Sequence, residues 1–200
     1  MKILAVSDVT SDLYYRYYQP GRLDPFDLIL SCGDLNPDYI EFLVTLAHCP
    51  LVYVHGNHDD GNRREPEGCI CADGRIVEVN GLRIMGLGGS YRYRDGRYMY
   101  TEKQMARRAR GLAAQLRHKS GFDVLLTHAP AYGLNDLPTL PHRGFECFNT
   151  LIEQYEPRYF IHGHVHRNYG ARIPQWDKKG NTTVVNAYEH CVIDYQPAGT

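Results

Sequence analysis

The chain has 200 residues, 43% of them hydrophobic, enough for one sizeable core and too few for two comfortable ones, so a single domain over 1–200 is expected. Its 22 basic and 23 acidic residues leave a formal net charge of -1, which excludes the bulk positive field of a general nucleic-acid binder and the charge run of an acidic tail. Recognition of any partner must therefore come from local groups.

The opening "MKILAVSD" carries one lysine and a short apolar run, too short for a secretory signal or a membrane span, so a cytoplasmic location is expected. "KILAVS", "DLILSC" and "LVYV" read as buried strands, with "DYIEFLVTLAH" a helix between the last two, which is βαβ logic. "RIVEVNGLRIMGLG" alternates and turns at Asn80 and Gly81, a strong hairpin signal. From residue 101 to 119, Met105, Ala109, Leu112 and Leu116 recur at helical spacing behind Thr101 and Glu102, which suit a helix start. "DVLLTH" is a further strand, "FECFNTLIEQY" a further helix, and "RYFIHG", "TTVVNA" and "CVIDY" follow as strands. Residues 129–144, "APAYGLNDLPTLPHRG", are too proline-rich for a regular element and form a candidate substrate-facing loop. Cys32, Cys49, Cys69, Cys71, Cys147 and Cys191 never form a CxxC pair, so free, mostly buried thiols are expected.

The apolar runs share one kind of ending. "ILAVS" ends on Asp8, "LILSCG" on Asp34, "LVYVHG" on Asn57 and His58, "VLLT" on His128, and "YFIHG" on His164 and His166. In open α/β sheets the site lies at the carboxyl ends of the strands, so these residues would converge although they are far apart in sequence. Carboxylate, amide oxygen and neutral imidazole together suit Mn, Fe, Zn, Co or Ni better than calcium. A shared carboxylate can hold two such ions roughly 3.5 to 4 Å apart, the geometry of two-metal hydrolysis. In "GHVH" the histidines stand two apart, so an extended backbone would send both to one side, with Gly163 giving the backbone room to approach. His48, His118, His162 and His190 read as ordinary structural groups, as does His55, whose place beside "GNHD" leaves a supporting role open.

"SD" at 7–8, "GD" at 33–34, "GNHD" at 56–59, "THAP" at 127–130 and "GHVH" at 163–166 resemble the calcineurin-like metallophosphoesterases, in that family's order. The resemblance implies an α/β fold, a four-layer αββα sandwich of two mixed sheets flanked by helices, with two divalent ions at the strand ends. It implies that Asp34 bridges the ions, that Asn57, His128 and His164 complete one site, and that Asp8 and His166 belong to the other. His58 resembles the proton donor to the leaving group, a role suited to a group titrating near neutrality, while an acidified bridging hydroxide attacks phosphorus. One departure is that the family pattern Asp-x-His has Thr10 in place of its histidine, so the second site is expected to be weaker unless Asp12 reaches in.

The resemblance implies a small phosphoester substrate, monoester or diester, and arginine and tyrosine together suggest nucleotide-like recognition. "GGSYRYRDGRYMY" sets Arg92, Arg94 and Arg97 among four tyrosines, and His142 and Arg143 stand in the proline-rich loop. Arg92, His142 and Arg143 are the candidate substrate contacts. "YYRYY" at 14–18 reads as surface packing, and Lys103, Arg107, Arg110 and Arg117 as a solvated helix face. The alternatives are a nuclease of the same superfamily and a non-catalytic scaffold with a partly degenerate site, as in the retromer subunit of this fold.

Overall fold

Strand β1 (Lys2–Ser7) sends Ile3 and Ala5 to one face and Leu4 and Val6 to the other, and all four are buried. A strand buried on both sides needs a layer on each, and the computed structural model, which describes residues 1–61, 64–116, 121–168 and 173–196, supplies both. Ile3 and Ala5 join Leu28, Leu30, Val52, Val124, Leu126, Ile161 and Val185 in a core between two sheets. Leu4 and Val6 pack instead with Ile29 and Leu51 beneath helix α1 (Pro37–Ala47), through Tyr39, Ile40 and Leu43. The expected four layers are present.

The first sheet adds β2 (Leu28–Ser31), β3 (Leu51–Tyr53) and β4 (Ile70–Cys71), in the order β13-β1-β2-β3-β4, where β13 is Glu189–Asp194. Only β13 runs antiparallel to its neighbour. In the second sheet, β5 (Arg75–Val79) and β6 (Leu82–Leu87) make the expected hairpin, with Val79 opposite Leu82 and positive φ at Asn80 and Gly81. It continues through β9 (Val124–Thr127), β10 (Tyr159–His162), β11 (Trp176–Lys179) and β12 (Thr182–Asn186), in the order β11-β12-β10-β9-β6-β5. Strands β7 (Ser90–Tyr91) and β8 (Met99–Tyr100) form a two-stranded sheet of their own. Helices α2 (Glu102–Ala113) and α3 (Glu146–Tyr155) cover the outer face of the second sheet, Met105, Ala109, Leu112, Phe148 and Leu151 packing on Met85, Leu125 and Phe160.

Two expectations change. The helix expected over 101–119 ends its α-helical part at Ala113 and tightens into a 3₁₀ turn at Ala114–Leu116, while 117–119, with Arg117 and His118, lie outside the described residues. Strands β4, β7, β8 and β11 were not legible, three being two residues long and "WDKK" too polar to read as a strand. Thr101 caps α2 with a full capping box to Gln104, so the helix does start where its sequence suggests. All six cysteines are free thiols. No helix among the described residues is long and apolar enough to cross a membrane.

Candidate metal centre

Each expected donor lies just past the end of a parallel strand, and three of the turns that present them are sterically costly. Asp8 has φ 66°, Asp34 φ 57° and His164 φ 66°, left-handed conformations that non-glycine residues rarely adopt. Neighbouring contacts hold them there: the amide of Asp8 donates to Gly33 O (3.1 Å), and that of His164 to Asp8 Oδ2 (2.9 Å). Gly163 donates to His128 O (2.9 Å) and so ties the turn after β10 to the end of β9. The "GHVH" segment is therefore a turn and not the extended stretch expected from its spacing, yet His164 and His166 still line one cleft.

The donor atoms converge on His128. Its Nε2 lies 3.0 Å from Asn57 Oδ1, 3.1 Å from His164 Nδ1 and 3.3 Å from Asp34 Oδ2. Backbone carbonyls orient both rings: His128 Nδ1 donates to Cys32 O (2.7 Å) and His164 Nε2 to Pro141 O (2.6 Å). Each ring then turns its other nitrogen toward Asp34, and one ligand atom from each of Asp34, His128 and His164 lies within 4.8 Å of the others. Asp8 Oδ1 is 3.6 Å from His166 Nε2 on the other side of the cleft.

Four lone-pair atoms facing one another in a buried place repel unless a positive charge sits among them. The protonation equilibria carry that signature. Burial opposes charge on His128, but the carboxylates of Asp34 and Asp8 outweigh it and push its pKa up to about 9. Burial, then the charge of His128, holds His164 down at about 3. For Asp8 burial would raise the carboxyl, and the contact with His166 and the charge at His128 reverse this and hold it at about 2. Asp34 is lowered, against its burial, by His128. A proton on His128 thus occupies the place that the donor set suits to a divalent cation of the borderline class.

The open cleft above these atoms has a volume of about 260 Å³ and is lined by Asp8, Asp34, Asn57, His58, Tyr93, Pro141, His142, His164 and His166. A family model described as calcineurin-like phosphoesterase matches residues 1–168. The chain belongs to this family. It is 38% identical over 80 residues to human "Metallophosphoesterase domain-containing protein 1", covering 38% of this chain and 23% of that protein's length. A UPF0046 protein of Caenorhabditis elegans is 26% identical over 215 residues, covering 94% of this chain and 69% of that one. Among solved structures, one crystal structure overlays with a TM-score of 0.69 at 16% identity, covering 96% of this chain and 94% of that one. TT1561 of Thermus thermophilus overlays at 0.59 with 17% identity, covering 94% and 89%. These two likenesses establish the fold.

Within this calcineurin-like phosphoesterase, the remaining sequence-derived site residues divide. His142 lines the cleft, its ring 5.4 Å from that of His164, and burial lowers its pKa. Arg143, its neighbour, does not line it. Its guanidinium lies over Tyr91 (5.2 Å) and Tyr132 (4.9 Å) and reaches Glu146 at 3.4 Å. Arg92 is exposed and also absent from the lining, and the residue of that cluster that enters is Tyr93, whose Oη is 3.5 Å from Asn57 Nδ2. In an irregular segment, which side chain faces inward depends on local turns that composition does not reveal, and neither arginine lines the cleft. Thr10 and Asp12 are exposed and neither lines the cleft.

Asp59 was missed altogether. Its Oδ2 accepts from the amides of Asp34 (3.0 Å) and Gly56 (2.7 Å) and so fastens the turn after β2 to the turn after β3. Its position in "GNHD" was the available signal. His55 keeps a structural role, bridging Asp73 (3.1 Å) and Glu65 (2.8 Å) and stacked on Tyr98 at 4.3 Å. Of the "YYRYY" segment, Tyr14 is buried against Phe26, and Tyr15 and Tyr18 pack edge-on to Phe42.

Proposed function

We propose that this protein is a metal-dependent phosphoric ester hydrolase with phosphodiesters as its preferred class. The observation that carries the reading is the cluster of inward-facing donor atoms around His128 Nε2. Asn57, His128, His164 and Asp34 would hold one divalent ion, drawn from Mn, Fe, Zn, Co and Ni, and Asp34, Asp8 and His166 a second. Bound there, such ions supply Lewis-acid polarisation of phosphate oxygens and lower the pKa of water toward neutrality.

The chain's own residues do the rest. No lysine or arginine lines the cleft among the described residues, a better match to the single negative charge of a diester than to the two of a monoester. His58 is exposed and lines the cleft with Asp34, and its amide donates to Asp34 Oδ1 (2.7 Å). Water would add to phosphorus and give up a proton to solvent, the bond from phosphorus to the leaving oxygen would break, and the His58 imidazolium would give that oxygen a proton and be reprotonated from solvent. The test is hydrolysis of bis(p-nitrophenyl) phosphate and p-nitrophenyl phosphate with each of Mn²⁺, Co²⁺, Ni²⁺ and Zn²⁺. Turnover abolished by chelator, faster on the diester, is expected. No turnover with any metal would leave the binding-scaffold reading in its place.

A further inference from the structure

We propose that Tyr93 is a further catalytic residue, its hydroxyl donating a hydrogen bond to a non-bridging oxygen of the phosphoryl group under attack. This rests on the phosphoesterase reading for what occupies the cleft, and no bond is made or broken at the tyrosine.

The hydrogen-bond inventory of the hydroxyl carries the inference. Asn57 turns its Oδ1 to the donor set, 3.0 Å from His128 Nε2, so its amide nitrogen faces away from that set and meets Tyr93 Oη at 3.5 Å. An amide nitrogen has only protons to give, so Oη is the acceptor there. A second neighbour is Arg94, whose guanidinium carbon lies 5.9 Å from the centre of the Tyr93 ring and whose pKa is raised by hydrogen bonding to the Tyr93 side chain. A guanidinium, too, can only donate. Both contacts therefore use lone pairs of Oη, and the O–H proton is left for a third partner. Tyr93 lines the cleft with Asn57 and His58, so a ligand in the cleft is placed to be that partner.

The rest of the lining gives such a donor its value. Asp8 and Asp34 line the cleft as carboxylates, and no lysine or arginine does among the described residues. A phosphoryl oxygen that gathers charge as water adds to phosphorus is then stabilised by a neutral O–H dipole. A donor already held in place costs no reorganisation at the moment of reaction. The backbone around Tyr93 is held accordingly. Gly89 N donates to His55 O (2.7 Å), Ser90 N to Tyr98 O (3.0 Å) and Arg92 N to Tyr100 O (2.9 Å). These bonds close the loop that carries Tyr93 at its base and tie its start to the segment just before Asn57.

The test compares Tyr93→Phe, which removes the hydroxyl and keeps the ring, with Arg94→Ala, which removes a donor to that hydroxyl and leaves it in place. Orthovanadate, a phosphate mimic, is titrated calorimetrically into Mn²⁺-loaded protein, and kcat/KM is measured on bis(p-nitrophenyl) phosphate. Tyr93→Phe should weaken vanadate binding and lower kcat/KM, each by roughly 10- to 100-fold, the range of one hydrogen bond to a charged group. Its Mn²⁺ content and affinity should stay unchanged, and Arg94→Ala should lose less on both measures. Unchanged vanadate affinity in Tyr93→Phe, or no vanadate binding by the unaltered protein, would overturn the proposal. So would a matching loss of Mn²⁺ affinity, which would reduce Tyr93 to a support for Asn57, or an equal loss in Arg94→Ala, which would assign the effect to the charge. Vanadate binding that depends on Tyr93 in a protein that hydrolyses nothing would refute the hydrolase reading and leave the hydroxyl as a phosphate-binding donor.

Discussion

Replacing Gly163 by alanine should damage the site through one methyl group. A Cβ there would run into Ser7 Oγ and would sit 2.7 Å from Ser7 Cβ and 2.6 Å from Asp8 Oδ2. Gly163 is not among the residues with positive φ, so the cost is steric and not conformational. Ser7 is fully buried and cannot swing away, and Asp8 Oδ2 is the acceptor that holds the His164 amide. Overpacking of this kind costs about 1–3 kcal/mol, and each kcal/mol lowers Tm by about 2–4 °C in a chain of this length, so a drop of about 2–12 °C is expected. Metal affinity should fall with it, because Asp8 and His164 are displaced together. Ser7→Gly removes two of the three clashing atoms, and a double-mutant cycle should therefore show a favourable coupling of about 1 kcal/mol or more. Thermal unfolding with and without Mn²⁺ and metal analysis of the four forms would measure both effects. A Gly163→Ala protein with unchanged Tm and metal content, or strict additivity with Ser7→Gly, would refute the close-approach reasoning.

Further outcomes bear on the histidines and on Thr10. His58→Ala should keep its metal while losing roughly 10²- to 10⁴-fold in rate on esters with poor leaving groups and much less on nitrophenyl esters. His128→Ala, which removes the atom at the centre of the donor set, should lose metal, and retention of metal there with loss in His58→Ala would invert the assignment. Thr10→His should lower the metal concentration for half-maximal activity, and an unchanged metal dependence would show that the exposed position does not reach the site. Chelator-treated protein should be most stable near pH 6.5. His164, held at about 3, leaves the unfolded state with more protons as pH falls below 6.5, and His128, raised to about 9, leaves the folded state with more as pH rises above it. Both limbs lower stability, and a Tm that climbs steadily from pH 6.5 to 9 would contradict the high pKa of His128.

The α-helices, and the strands other than β4, β7, β8 and β11, were legible because their signals are local. The alternation in β1, the Asn80 and Gly81 turn and the Thr101 helix start each depend on a few neighbouring residues and on the geometry of the backbone itself. The residue types at the strand ends, Asp8, Asp34, Asn57, His128, His164 and His166, could be named in advance for the same reason, since a buried run that stops on a polar side chain is visible in the sequence. What could not be read there is how the turns beyond those ends are shaped. The left-handed backbone at Asp8, Asp34 and His164 is held by contacts to other strands, as between His164 and Asp8, 156 positions apart. The same holds for the Cys32 and Pro141 carbonyls that orient the histidines, and for the entry of Tyr93 in place of Arg92 and of His142 without Arg143. Chemistry at the ends of strands is written in residue identity, which the sequence carries by itself. Which atom of each residue faces the cleft is decided only when two sheets pack and their turns must satisfy one another's buried amides and carbonyls.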